Sequence, residues 1–478
     1  MFPAASTATN LTWVITPSIG TTSTTTTAGF QVTFTVAGTY SISLSSTDPA
    51  NGTVTTNAIQ VFIVNCGLPA RPEHAVWCYQ RSVHLDFTTG IALSTPPNSS
   101  ISNPLSPFSS TSQCDPITGN LHFYTDGIRV WNNSNVLIGN ITNANYGSNI
   151  KGTISVPNPN NFNANPQTRT NSYYIFTVPA YGQSGNGSLV FGEVAINAGI
   201  AGLISSNNTL PAGIFNTNVV EAITAIPHCN GIDTWIIVHE INSSNTISYL
   251  LSGSGISLAV QNSSLPFINS NPGPSRHRFT IESAPHGDAM AIFNWANETV
   301  YFYSFNNTNG QMTYTSSVVI PQGSANTQLH GSFAPNTGGG SYFYYAVNSS
   351  TNSLYQIELP TLNAPIIQNI PFSLGSPLRQ LDGSIQLGPD NLIYLSSFTQ
   401  NNFGDSKMLV IRAPNVSGPG VAGCNPVVNL NNFTIGQRNF FSLPNLADAT
   451  RNPSLSLDFL AVASICSTYT FSVGACWS

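Results

Sequence analysis

The sequence predicts an all-β protein. A small β-sandwich is expected over residues 1–65, a β-propeller over residues 66–445, and a short strand segment over residues 446–478. Three observations predict this fold class. Aromatic and β-branched runs alternate with turns rich in Gly, Pro, Asn and Asp. One strand–turn–strand unit recurs along the chain, and no segment has helical periodicity. We expect about seven blades, with six as the alternative.

The repeated unit is clearest in the stretch from Cys114 to Asn132. A turn-rich run leads into a predicted strand at residues 121–125. The Asp126-Gly127 pair then predicts a type I′ hairpin turn, which needs positive φ at both central residues. A lone hairpin cannot bury its apolar face, so such a unit is expected to recur. Similar units begin at residues 169, 227, 285, 335 and 388.

The spacing of these six units predicts a propeller of the kelch-like repeat length, with starts about 50 to 58 residues apart. Residues 75–93 supply a further unit. We expect that unit to share a blade with strands near Cys424–Leu430 and so close the ring, leaving no open edge. The alternative is a series of β-sandwiches with accidentally similar turns, although sandwich turns come more often, roughly every 8–12 residues.

Composition predicts an ordered protein with a neutral polar surface. Charged residues are 6% of the chain and aromatic residues 10%, whereas disordered chains are usually charged and poor in aromatics. The net charge is −6 and there is no basic stripe, which argues against nucleic-acid binding. No apolar run is long enough to span a membrane. No signal peptide is recognisable, so we expect a processed chain or a piece of a longer one.

Residues 1–65 alternate apolar and polar side chains, as half-buried strands do. The alternation is clearest at 30–36, 38–44 and 57–64. The run Ala-Gly-Thr-Tyr-Ser-Ile-Ser-Leu at 37–44 resembles the strand signature of PKD-type Ig-like domains. This resemblance implies an N-terminal Ig-like, PKD-type sandwich.

The order of motifs over roughly residues 30–445 resembles the propeller region of large secreted Bacteroidetes surface proteins, the kind exported by the type IX (gliding-associated) system. The resemblance implies a cell-surface protein with a PKD domain ahead of the propeller, and it brings no catalytic residues. The chain departs from that family in having no C-terminal sorting domain and only two lysines, Lys151 and Lys407. The matching segments are Trp77, 85–87, 119–132, 173–178, 231–240, 386–394 and 443–445.

Cysteine and sequon patterns favour an oxidising, extracellular setting. None of the seven cysteines forms a C-x-x-C pair, so no zinc site is expected. Cys466 and Cys476 flank a predicted hairpin and are the disulfide candidates. The sequons are near the number expected by chance, but their place in turns permits glycosylation. The glycosylation candidates are Asn10, Asn51, Asn98, Asn132, Asn140, Asn186, Asn207, Asn242, Asn262, Asn297, Asn306, Asn348, Asn415 and Asn432.

Two histidine–carboxylate pairs are candidates for chemistry. His84 and Asp86 share one strand face and suit a metal, but no third ligand is evident, so a hydrogen-bonded pair at a strand edge is the favoured interpretation. His239 and Glu240 lack the helical H-E-x-x-H context of metalloproteases. We interpret them as the end of a strand.

The remaining candidates are weaker. The only basic cluster, residues 276–278, suits either an anionic ligand or a solvated loop. Residues 232–235 share part of a sialidase Asp-box without its Asp-x-Gly order. Asp382 and Asp390 suit calcium, but turns are favoured. Carboxylates that could meet as a glycosidase pair are Asp86, Glu221, Glu282 and Asp382.

These patterns predict a non-enzymatic extracellular structural or adhesion protein, a glycosylated component of a surface layer or filament. We expect no catalytic residue, cofactor or metal. Self-association is expected through unpaired strand edges of the sandwich and C-terminal segment, because a surface with few charges lacks repulsion. The alternative is a carbohydrate-binding or carbohydrate-active propeller, since Tyr, Trp and Asn suit sugars.

Overall fold

The chain is all-β, which confirms the predicted fold class. Beside the strands there are only a 3-10 turn (Pro72–His74) and a short helix, α1 (Asn160–Asn163), in the described part of the chain. None of the helices described is long and apolar enough to cross a membrane. The structure, a computed structural model, describes residues 9–16, 21–26, 29–34, 38–48, 52–55, 59–63, 71–79, 83–88, 93–95, 109–116, 118–141, 151–163, 171–178, 189–210, 219–241, 243–263, 279–294, 299–320, 329–335, 341–347, 353–359, 365–370, 379–399, 402–418, 426–429, 443, 445–446 and 468–470.

The N-terminal segment contributes strands to two sheets, and for residues 9–63 the backbone alone is described. One sheet has the order β1-β4-β5 with β6 also paired to β4, and β2 pairs with β3 in the other. All pairings are antiparallel. The strands are β1 (Thr9–Thr16), β2 (Thr21–Thr26), β3 (Gly29–Phe34), β4 (Gly38–Asp48), β5 (Gly52–Thr55) and β6 (Ile59–Ile63).

Seven antiparallel sheets follow in the described part of the chain, here called A to G, and each is built from consecutive strands. Sheet A holds β7 (Val76–Tyr79), β8 (Val83–Asp86) and β9 (Leu93–Thr95). Sheet B holds β10 (Thr111–Cys114), β11 (Leu121–Thr125), β12 (Arg129–Asn132) and β13 (Leu137–Asn140). Sheet C holds β14 (Thr153–Pro157), β15 (Asn171–Thr177), β16 (Val190–Asn197) and β17 (Ile200–Thr209). Sheet D holds β18 (Val219–Pro227), β19 (Thr234–Glu240), β20 (Thr246–Ser252) and β21 (Gly255–Asn262).

Sheets E to G repeat the same four-strand pattern. Sheet E holds β22 (Phe279–Ser283), β23 (Ala289–Asn294), β24 (Thr299–Asn306) and β25 (Gln311–Val319). Sheet F holds β26 (Leu329–Phe333), β27 (Ser341–Val347), β28 (Ser353–Leu359) and β29 (Ile366–Ile370). Sheet G holds β30 (Arg379–Leu387), β31 (Ile393–Thr399), β32 (Asn402–Ile411) and β33 (Pro426–Asn429). A last strand, β34 (Thr468–Thr470), pairs with β3.

The repeated sequence units correspond to sheets B to G. In each of these sheets the turn-rich run follows the first strand, and the aromatic or aliphatic run forms the second: β11, β15, β19, β23, β27 and β31. Residues 75–93 form sheet A, which has three strands. The turn chemistry of the sequence therefore located every one of these sheets.

The sheets pack face to face in a ring, which gives a propeller-like fold. The first strands of successive sheets contact one another from β7 through β30, and an apolar cluster fills each gap between neighbours, including the gap between G and A. One buried side chain marks each gap: Tyr124 (A–B), Ile175 (B–C), Tyr249 (C–D), Trp235 (D–E), Phe302 (E–F), Tyr344 (F–G) and Trp77 (G–A).

The expected closure of the ring by a shared blade is wrong. Strand β33 pairs with β32, with Ile411 opposite Pro426, so, within the described part of the chain, residues 426–429 belong to sheet G and not to sheet A. Side chains close the ring instead. The buried Arg71 guanidinium donates from Nη2 to the carbonyls of Leu387 (2.9 Å) and Gly388 (2.8 Å) at the end of β30.

An aromatic cluster completes this closure between sheets G and A. Trp77 lies 5.0 Å from Phe87 and 5.5 Å from Tyr394 between ring centroids. The Phe87 and Tyr394 rings meet edge to face at 5.5 Å, a favourable geometry for aromatic pairs. Leu443 and Leu446, far along the chain, belong to the same buried cluster.

The turn at Asp126 differs from the expected type I′ turn. Gly127 has a φ of 87°, but Asp126 has no positive φ. The Asp126 amide bonds the Arg129 carbonyl (3.3 Å), so Gly127 and Ile128 are the central residues, as in a type II′ turn with glycine first. The Asp126 carboxylate explains this register, because it accepts from the Ile128 and Arg129 amides (3.0 and 2.6 Å) and pairs with the Arg129 guanidinium (2.8 Å).

We expect Trp77→Ala to destabilise the protein by about 3–5 kcal/mol, because it removes a large side chain from the closing cluster and leaves a cavity. Urea unfolding measures the loss. Val319→Ala is the control, since Val319 is 71% exposed and surface changes typically stay within about 0.5 kcal/mol. Equal midpoints for the two variants would contradict closure through Trp77.

Candidate functional site

Buried polar side chains line the first strands of the sheets, where these strands converge on the ring axis. Such groups need hydrogen-bond partners, because water cannot reach them. Several bonds run from one first strand to the next. Thr111 Oγ1 and Ser155 Oγ are 3.2 Å apart across β10 and β14, and Thr280 Oγ1 lies 2.9 Å from His330 Nδ1 across β22 and β26. Thr224 Oγ1 donates to Ser283 Oγ across β18 and β22 (3.3 Å).

Lys151 is the centre of this polar interior. It precedes β14, and its side chain is 1% exposed. Its Nζ donates to Gln386 Oε1 on β30 (2.7 Å) and lies 2.9 Å from Glu282 Oε1 on β22. Sheet C therefore reaches sheets E and G through one side chain, which requires that side chain to cross the axis.

Asn445 joins the same region from the C-terminal side of the chain. Its backbone amide donates to the backbone carbonyl of Ser110 (2.8 Å), beside β10. Its side-chain Nδ2 donates to the carbonyls of Ile223 (3.0 Å) and Lys151 (3.4 Å). One asparagine thus holds the beginnings of sheets B, C and D together at the end of the axis where Lys151 lies.

We call Lys151, Glu221, Glu282, Gln386 and Asn445 the axial cluster. Each is at most 2% exposed, and Glu221 lies on β18, the first strand next to that of Glu282. The cluster combines an ammonium donor, carboxylate acceptors and two amides that both donate and accept. No group of three metal-ligating side chains is found among the described residues.

The cluster contains two of the carboxylates that the sequence singled out, Glu221 and Glu282, on neighbouring first strands. Asp86 lies elsewhere and holds a turn, since its Oδ1 accepts from the amide and hydroxyl of Thr88 (2.8 and 2.6 Å). The side chain of Asp382 lies outside the described residues. Asp390 caps the turn after β30, with its carboxylate bonded to the Tyr394 hydroxyl (2.6 Å), as expected of a turn residue.

His239 ends β19, as expected for a strand end. Its ring is buried between Thr246 Oγ1 (3.0 Å from Nδ1) and the Ser243 carbonyl (3.1 Å from Nε2). Burial lowers the pKa of His239 to about 4, although the Ser243 carbonyl and the Glu240 carboxylate oppose the shift. The imidazole is therefore neutral near pH 7. The side chain of His84 and the basic cluster at residues 276–278 lie outside the described residues.

The described glycosylation candidates differ in exposure. Asn140 and Asn306 are exposed and Asn415 is half-buried, whereas Asn132 and Asn262 are buried. The Asn262 amide makes three hydrogen bonds, two of them from the Nδ2 that a glycan would modify. The side chains of Asn10, Asn51, Asn98, Asn186, Asn207, Asn242, Asn297, Asn348 and Asn432, and the disulfide candidates Cys466 and Cys476, lie outside the described residues.

Sequence reasoning missed the roles of Lys151, Gln386 and Asn445. Lys151 was notable only because the chain has two lysines, and that rarity was the one available signal. Gln386 lies inside an apolar strand, and a glutamine at a buried strand position indicates a polar partner. No pattern in the sequence links positions so far apart.

Comparisons with known proteins extend only to the fold. No family model matches the chain, and no curated protein matches it. A candidate 6-phosphogluconolactonase from Bacteroides uniformis is 9% identical, with 83% of this chain and 93% of that one covered at a TM-score of 0.40. The periplasmic gluconolactonase of Pseudomonas aeruginosa is 11% identical, with 66% and 92% covered at 0.37. AofleA from Arthrobotrys oligospora is 10% identical, with 68% and 87% covered at 0.38.

These neighbours correct the function expected from the sequence. That expectation was a non-enzymatic extracellular structural or adhesion protein, a surface layer or filament component. The structural neighbours include proteins named as lactonases, which are enzymes. With identities this low, the likeness concerns the fold alone and transfers no activity.

We expect Lys151→Met to destabilise the protein by about 3–5 kcal/mol, because removing one partner of a buried ion pair leaves the other charge uncompensated. The double variant Lys151→Met/Glu282→Gln should recover much of this loss. Urea unfolding of both variants and of each single change gives the coupling energy. Lys407→Met, which removes the other lysine of the chain, is the control for the effect on stability of losing any lysine side chain. Additive effects of the two axial changes would contradict the pairing.

The stability of the protein should fall between about pH 6.5 and pH 4 because of His239. The unfolded imidazole titrates near 6.5 and the folded one at about 4, so protons bind the unfolded state first as the pH falls. The largest loss is about 3 kcal/mol, reached below the folded pKa. Urea midpoints across this range should depend less on pH in His239→Gln than in the parent. An unchanged pH dependence would refute the assignment.

Proposed function

We propose that the chain is a seven-bladed β-propeller that binds a small, hydroxyl-rich molecule at the axial cluster. Seven sheets in sequence, with an apolar cluster between each pair of neighbours, support seven blades. The observation that carries the binding site is the buried Lys151, whose ammonium bridges Glu282 and Gln386 across the axis. The proposal is one of binding and contains no chemical step.

Energetics favour a role for this lysine beyond stability. A buried ion pair costs so much desolvation that well-packed apolar side chains often serve stability better. The chain uses few charged residues, yet it places one of its two lysines on the axis. Binding sites place a few convergent polar groups where they fix the orientation of a ligand, so the axial cluster is the place where a ligand is expected.

The chemistry of the cluster selects the ligand class. A hydroxyl group both donates and accepts, so it can accept from the Lys151 ammonium and donate to the Glu282 or Glu221 carboxylate. The amides of Gln386 and Asn445 also combine both roles. A ligand with one strong charge would match only half of this set. Several hydroxyl groups on one small molecule match all of it.

Burial restricts access to the cluster. All five residues are at most 2% exposed, so a ligand can enter only after a conformational change. A required conformational change lowers the association rate below the usual range of about 10⁵–10⁷ M⁻¹s⁻¹. Slow association is therefore part of the expected behaviour of this site.

Calorimetric titration and thermal unfolding with inositol, sorbitol and glucose test the proposal. At least one of these should bind and raise the unfolding midpoint, because a ligand of the folded state stabilises by mass action. Acetate and propylamine, which carry one charge and no hydroxyl groups, should not. The double variant Lys151→Met/Glu282→Gln should lose binding, whereas Lys407→Met should keep it. Equal binding by the double variant, or no effect of any polyol on the parent, would refute the site.

We propose that residues 1–65 form a PKD-type Ig-like sandwich and that the protein works outside the cell. The antiparallel pairings among the six strands β1–β6 support the sandwich, as does the Ala37–Leu44 signature. Exposed sequon asparagines at 140 and 306 support the location outside the cell, together with the low charge.

A further inference from the structure

Two cysteines lie in one buried cluster in the gap between sheets A and B. Successive residues of a strand point to opposite faces, and β7 follows this rule: Trp77 packs toward sheet G, whereas Val76 and Cys78 pack toward sheet B. Cys114, the last residue of β10, belongs to the same buried cluster as Cys78. Both cysteines are 0% exposed.

Contacts of the Cys114 sulfur place it against the backbone of β7. The Val76 amide donates to Cys114 Sγ (3.3 Å), and Sγ lies 3.8 Å from the Val76 carbonyl oxygen. Val76 and Cys78 are on the same strand face, about 6.6–6.8 Å apart between Cα atoms. The Cys114 sulfur therefore contacts β7 at Val76, two residues from Cys78 on the same face of that strand.

We propose that Cys78 and Cys114 form a disulfide bond when the protein folds in an oxidising medium. Both are thiols in this structure. The oxidant is a low-molecular-weight disulfide such as oxidised glutathione. One cysteine thiolate attacks a glutathione sulfur and releases one glutathione thiolate. The second cysteine thiolate then attacks the mixed disulfide and releases the other. Two protein thiols are oxidised, one glutathione disulfide is reduced, and the two thiol protons go to the solvent or the released thiolates.

The bond has to form before the two sheets pack. The thiolate is the attacking species, and burial raises the pKa of both thiols well above the usual range. Cys114 and Asp86 add to the rise for Cys78, and Asp86, Glu73 and Asp115 add to it for Cys114. Zero exposure also keeps an oxidant away. Once the gap between A and B is closed, the folded protein should keep whichever redox state it folded in.

The bond would strengthen the smallest described sheet of the ring. Sheet A has three strands and is held only by packing and hydrogen bonds to its neighbours in the described residues. A disulfide from β7 to β10 closes a loop over residues 78–114, and loops of this length restrict the unfolded chain substantially. Sheet A would then be covalently fixed to sheet B.

Refolding in two media tests the proposal. Reduced, denatured protein is refolded with a mixture of reduced and oxidised glutathione or with reductant alone, then acid-quenched, alkylated and mapped by proteolysis and mass spectrometry without reduction. We expect a linked peptide pair containing Cys78 and Cys114 from the first medium alone. Cys229→Ser, which removes a partly exposed thiol, should leave that pair intact.

Unfolding temperatures give a second readout. The oxidised parent should unfold several degrees above the reduced parent, and this difference should shrink in Cys78→Ala/Cys114→Ala. The peptide map of the parent decides the question even if that double variant fails to fold. Recovery of both cysteines in alkylated form after oxidative refolding, or their linkage to other cysteines, would overturn the proposal.

Discussion

Mutual burial of neighbouring sheets is the constraint on which the structure depends. Each sheet of the ring has two apolar faces, and a single four-stranded sheet has nothing of its own to cover them. The chain covers each face with the next sheet, so Tyr249 is buried between C and D and Phe302 between E and F. Such a series ends only when the last sheet meets the first.

That meeting is made by side chains rather than by a shared strand. Trp77, Phe87 and Tyr394 fill the gap between sheets G and A, and Arg71 donates to the end of β30. A closure of this kind depends on shape and on hydrogen bonds to specific carbonyls, so it tolerates volume changes poorly. It also makes the small sheet A a point where stability is concentrated.

Convergence of the first strands explains the polar axis. Strand edges that meet around a narrow axis bring their polar side chains within hydrogen-bonding distance, and burial makes each unpaired group costly. Lys151 satisfies groups on two distant sheets with one ammonium, and Asn445 satisfies carbonyls from two more. The same arrangement that stabilises the axis also gathers the donors and acceptors that a polar ligand would need.

The sequence by itself determined the local structure. Turn residues such as those at 227–233 and 388–391 must adopt conformations that few other residues tolerate, so they marked the turn between the first and second strands of each sheet, and alternating apolar residues marked the strands. Even there, the central residues of the turn at Asp126 depended on a carboxylate that chooses between two neighbouring registers.

Tertiary structure decided everything that depends on residues distant in the chain. The sequence placed residues near β33 in the blade of residues 75–93, whereas the strand pairs with β32 of sheet G. The partners of Lys151 lie 131 and 235 positions away, and no local pattern encodes such a pairing. The sequence therefore determined the sheets, because their signals are local, whereas the axial cluster and the closure of the ring exist only once all the sheets have packed.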